Sequence, residues 1–171
     1  MHGFALLVTV GDRSRAAAAA SAVLPGGTAR AAQLRHPERA AAWLRARLLQ
    51  ALRHTSESRR HSWAERRTVL LELGMPEAMM AALEGLTLED RAAVVAASVE
   101  RFSIIDVATI LGRDLLATRR ILQAARRRYL AASTFWMGDL PAKALPGGEI
   151  AARIEQAAAR AMGARTAEPG A

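Results

Sequence analysis

Apolar residues recur at helical spacing along most of the chain, in segments parted by short polar or Gly/Pro breaks. Residues 3–10 and 16–24 form the first two segments, and Pro25-Gly26-Gly27 predicts the end of the second. Pro37, well placed to open a helix, introduces a longer one over 38–54. Trp43, Leu44, Leu48 and Leu52 make one stripe of it, and Arg39, Arg45, Arg47 and Arg53 occupy much of the remainder. Residues 55–67 are polar and rich in Ser, Arg and His, which predicts a flexible joint and a domain boundary. Residues 70–83 are helical around the break at Gly74-Met75-Pro76. A helix over 89–101 follows, with Thr87 as N-cap, Asp90 three positions on, and Ala93, Val94, Ala97 and Ser98 turned inward.

The next stretch carries most of the information. Ser103-Ile104-Ile105-Asp106 is a capping-box pattern, and it predicts a short helix that ends at Leu111-Gly112, where Gly supplies the left-handed cap. Asp114 caps the following helix over 115–130, with Leu115, Thr118, Leu122, Ala125 and Tyr129 as its buried stripe. Arg119, Arg120, Gln123, Arg126, Arg127 and Arg128 fall on its other faces. A short helix, a glycine turn and a second helix with a basic face are the parts of a helix-turn-helix, which lays its second helix in the major groove. Arg113, Arg119, Arg120 and Gln123 are then candidates for base edges, because Arg pairs with guanine and Gln with adenine. Arg126 and Arg127 are candidates for phosphates. The alternative is a solvated arginine face on an ordinary core helix.

Composition adds three constraints. Of the 171 residues 51% are hydrophobic, much of that alanine, and only 4% aromatic, so small cores filled by Leu, Ile and Val are expected in an all-α chain. The absence of cysteine removes disulfides and thiolate chemistry. The net charge of +8 comes almost entirely from arginine, Lys143 being the single lysine. Arginine and alanine are also enriched by a GC-rich genome, so position along the chain has to carry the argument. Residues 4–10 are too short an apolar run for a signal peptide, and no run approaches the roughly 20 residues of a membrane span, so the expected location is the cytoplasm. His2, His36, His54 and His61 lack metal-ligand spacing, and no Lys-Ser/Thr pair follows Pro25-Gly26-Gly27 or Pro146-Gly147-Gly148. No nucleophile has an activating context. No enzyme, metal or cofactor is expected.

Three segments together resemble a known family: Leu86-Thr87-Leu88-Glu89-Asp90-Arg91-Ala92-Ala93-Val94-Val95, Ile105-Asp106-Val107-Ala108-Thr109-Ile110-Leu111-Gly112-Arg113, and Ala125-Arg126-Arg127-Arg128-Tyr129-Leu130. Their order and spacing are similar to the fourth conserved region of extracytoplasmic-function type sigma factors of bacterial RNA polymerase. The resemblance implies a helix-turn-helix that reads the upstream promoter element and touches the polymerase flap. Phe4-Ala5-Leu6, Gly11-Asp12-Arg13 and the segment Arg39-Ala40-Ala41-Ala42-Trp43-Leu44-Arg45-Ala46-Arg47 more weakly resemble the second conserved region. By that resemblance Trp43, Arg45 and Arg47 belong to the helix beside the melted strand, although a tryptophan on an apolar stripe is more often a core residue. Where the family carries an acidic, amide-bearing helix for the polymerase clamp, this chain has Arg15-Ala16-Ala17-Ala18-Ala19-Ala20-Ser21-Ala22-Val23.

The expected organisation is two small helical domains joined by a flexible linker. Residues 1–62 form a degenerate region-two-like domain, 63–85 a linker and connecting helix, and 86–133 the region-four-like helix-turn-helix. Residues 134–171 form an extension: an aromatic linker from Phe135 to Pro141, a helix over 149–162 that packs on the chain's own core or holds a partner, and a disordered tail. The function expected is a sigma-factor-like initiation or regulatory protein whose partners are double-stranded promoter DNA, RNA polymerase core and an anti-sigma or other regulatory protein, with no membrane. The alternatives are a dimeric helix-turn-helix regulator and a sigma-derived interaction module that no longer initiates transcription.

Overall fold

A run of seven apolar-rich residues forms α1 (His2–Val8), which turns sharply into α2 (Arg13–Ala31). Val10 and Gly11 both hold positive φ there, and Asp12 closes the corner by accepting the Arg15 amide at 2.9 Å. Only glycine suits position 11, since a Cβ there would stand 2.5 Å from the Arg66 carbonyl oxygen. A single 3-10 turn over Pro37–Arg39 leads into α3 (Ala40–His54). α4 (Trp63–Glu72) and α5 (Glu77–Glu84) flank the break at Met75-Pro76, and α6 (Leu88–Val94) starts at Thr87, whose hydroxyl accepts the Asp90 amide. α7 (Ile104–Leu111) and α8 (Leu115–Met137) complete the order. This computed structural model describes residues 1–31, 34–55, 63–72 and 74–137, and these are all-helical, with no strand among them. No helix of the described residues is long and apolar enough to cross a membrane. His61, residues 56–62 of the expected joint, and the helix expected at 149–162 lie outside the described residues.

Four expectations are corrected. α2 does not stop at Pro25-Gly26-Gly27 but runs on to Ala31. Leu24, Pro25 and Gly26 are exposed there, so water can take up the Ser21 carbonyl that proline leaves without a partner. The helix expected over 89–101 widens into a π turn at Val95–Val99, with the Glu100 amide bonded to the Val95 carbonyl at 3.1 Å. Ala97 and Ser98 are partly exposed as a result, and Val95, Ala96 and Val99 are buried instead. α8 continues past 130 to Met137, which puts Phe135, Trp136 and Met137 on the helix rather than in a linker. Leu115, expected in the buried stripe, is 43% exposed because it opens α8, beyond the reach of the core that covers Thr118, Leu122, Ala125 and Tyr129.

The core does not divide at 55–67. α8 packs on α5, α6 and α7, α3 packs on α2 and α7, and α1 lies against α2 and α6. Phe4, Leu48, Leu52, Val94, Leu111 and Tyr129 accordingly share one buried cluster. One buried polar side chain, Arg91, ties the same halves. The Arg91 guanidinium donates to the Val8 carbonyl at 2.9 Å and to the Leu86 carbonyl at 3.0 Å. Arg15 donates to the Leu52 and Thr55 carbonyls at 2.9 Å, closing the C-terminal end of α3.

Candidate nucleic-acid interface

The turn between α7 and α8 is built as the cap residues dictate. The Ser103 hydroxyl accepts the Asp106 amide at 3.2 Å, and the Asp106 carboxylate in turn accepts the Ser103 hydroxyl proton at 2.5 Å. Gly112 sits in the left-handed region at φ 65°, and the Arg113 amide returns to the Ala108 carbonyl at 3.1 Å. Asp114 then starts α8 by accepting the Ala117 amide at 2.8 Å, while the Thr118 hydroxyl donates to the Asp114 carbonyl at 2.7 Å. With both ends of the turn fixed, α8 leaves α7 in one defined direction.

The inner side of α8 is closed by Thr118, Leu122, Ala125 and Tyr129, all buried. Tyr129 is covered so fully that burial pushes its phenol well above the usual range, and its hydroxyl has no hydrogen-bond partner among the described residues. The opposite side carries Arg119, Arg120, Gln123, Arg126 and Arg127, every one exposed. At 3.6 residues per turn these five positions span an arc of about 120°. None of the four arginines has an acidic partner among the described residues. The result is a long exposed cationic strip with one amide among the guanidiniums, suited to phosphates and base edges.

Arg113 differs from the others. It precedes the helix and is held by Glu89 at 3.0 Å, a hydrogen bond and charge contact that raise the guanidinium pKa further. Arg53 of α3 shares the same carboxylate at 3.5 Å and donates to the Leu111 carbonyl at 3.4 Å. Arg128 leaves the strip as well, turning back to the buried Asp90 at 2.5 Å.

The residues expected beside melted DNA are not brought together. Trp43 and Arg47 lie four positions apart on one side of α3, Trp43 partly buried and Arg47 exposed. Arg45 points the other way. Its guanidinium is bidentate on Glu100, with one contact at 2.8 Å, and lies over the Phe102 ring at 4.9 Å and the Phe4 ring at 6.0 Å. Only 14% of that side chain is exposed, so it serves the fold rather than an outside ligand. Glu89, Asp90 and Glu100, the carboxylates that claim Arg113, Arg128 and Arg45, escaped the sequence reading because each lies 24 or more positions from its arginine, and no local pattern joins them.

Comparison with protein-family models, with curated proteins and with solved structures finds no match for this chain.

Proposed function

We propose that the chain is a sigma-factor-like transcription protein of the cytoplasm, which holds promoter DNA with α8 in the major groove and joins RNA polymerase core. The observation that carries this reading is the arc of Arg119, Arg120, Gln123, Arg126 and Arg127, exposed and without acidic partners among the described residues, directly after a capped glycine turn. Arginines left unpaired on one face repel each other, and a polyanion relieves that repulsion while releasing its own counterions. Selection of one sequence falls to Arg119, Arg120 and Gln123 near the start of the helix, and affinity to Arg126 and Arg127 further along. No bond is made or broken in this mechanism. An anti-sigma or other regulatory protein would act by covering the same strip.

The test has two stages. Binding of the full chain to labelled duplexes is measured against salt, and the tagged protein is then purified with core polymerase and used to transcribe a genomic-fragment library. Salt-dependent duplex binding with defined start sites is the expected result. Duplex binding without polymerase indicates a sigma-derived regulator, and a folded protein that binds no duplex at low salt refutes the reading.

A further inference from the structure

Leu116, the second residue of α8, is 60% exposed, more open than any other large apolar side chain among the described residues. Its place on the helix is informative. In projection down the axis it falls between Gln123 and Arg127, near the middle of the cationic arc and about one turn ahead of Arg119 and Arg120. An apolar protein surface laid over Leu116 would strip water from the flanking guanidiniums without pairing them, which is costly. The occupant must therefore offer anions to the arginines and one apolar group at the depth of the helix start. The major groove supplies both, since phosphates line its rim and the 5-methyl of thymine is the one apolar group on its base edges.

We propose that Leu116 selects a thymine by packing on its 5-methyl group. The inference rests on the DNA-binding reading of α8 and names a base that this reading leaves open. Arg119, Arg120 and Gln123 address hydrogen-bonding edges, and Leu116 addresses the methyl.

The experiment uses the full chain. Duplexes are first enriched from a random pool, and each thymine of the enriched site is then replaced singly by uracil, which lacks only the methyl. The expected result is one position where uracil weakens binding by about four-fold, equivalent to about 0.8 kcal/mol for one apolar carbon. Leu116→Ala, made at an exposed position and checked for unchanged Tm, should bind the thymine and uracil duplexes there equally. No uracil effect at any position overturns the proposal, and so does a uracil effect that persists undiminished in Leu116→Ala. A folded chain that binds no duplex at low salt removes the DNA-binding reading and this inference with it, whereas duplex binding without any enriched sequence overturns this inference alone, and both outcomes are told apart because they precede any uracil substitution.

Discussion

α3 and α8 read alike in the sequence, each an amphipathic helix with arginines on its outer face, yet apart from Arg47, exposed beside Gln50, α3 pairs its arginines with carboxylates where α8 leaves most of them open. Around α3, Arg45 is bound to Glu100, Arg53 to Glu89 and the end of α7, and Arg39 lies 3.9 Å from Asp106. On α8 only Arg128 is so held, and Arg119, Arg120, Arg126 and Arg127 face outward without carboxylates among the described residues. A basic helix is thus a weak sign of an interface. The useful sign is cations for which the fold provides no anion among the described residues, because the internal pairs are already neutralised.

The largest expected effect tests the internal half of that contrast. Arg45→Ala leaves Glu100 partly buried without its partner and removes the cover over Phe4 and Phe102. Stability should fall by about 3 kcal/mol, or roughly 6–12 °C in Tm, with duplex affinity per folded molecule unchanged. Loss of duplex binding in a mutant that still folds would erase the distinction between the helices.

Arg119→Ala and Arg120→Ala test the external half. Each should weaken binding to the preferred duplex by about 1–3 kcal/mol in an anisotropy titration, at constant Tm. Equal binding by mutant and parent would exclude these side chains from the interface. Arg127→Ala should have a smaller and different signature. Affinity should drop about equally for all sequences, and the slope of log K against log salt should shrink by about one.

The smallest effect at neutral pH belongs to the buried side of α8. Tyr129→Phe removes a hydroxyl with no partner among the described residues, so Tm at pH 7 should rise slightly or stay level. The alkaline limb is where parent and mutant part. Burial holds the Tyr129 phenol protonated in the folded state beyond its ordinary value of 10.0, so above that pH only the unfolded chain loses the proton. Stability of the parent should then decline as pH rises past about 10, and this decline should be reduced in Tyr129→Phe. As Tyr129 is the single tyrosine, tyrosinate absorbance reports on it alone.

Much of the frame was legible because it is set by neighbours in sequence. Thr87, Ser103 and Asp114 cap the helices they were expected to cap, Gly112 takes the left-handed turn, and Thr118, Leu122, Ala125 and Tyr129 are buried at the expected spacing. Pro25 misled for a related reason. Its local rule assumes that a lost backbone hydrogen bond ends the helix, whereas an exposed helix can meet that loss with water. Leu115 misled because periodicity marks a face but not the point along it where the covering helices end.

Local contacts within about four positions therefore set the caps at Thr87, Ser103 and Asp114, the turn between α7 and α8, and which side of α8 faces inward. Tertiary structure decided the rest. It joined both halves of the chain in one core, took Arg45, Arg53, Arg113 and Arg128 into ion pairs, and left Arg119, Arg120, Arg126, Arg127 and Leu116 facing out. Those outcomes depend on which carboxylates and apolar surfaces approach from distant segments, and charge or hydrophobicity along a helix carries no record of what will lie across from it.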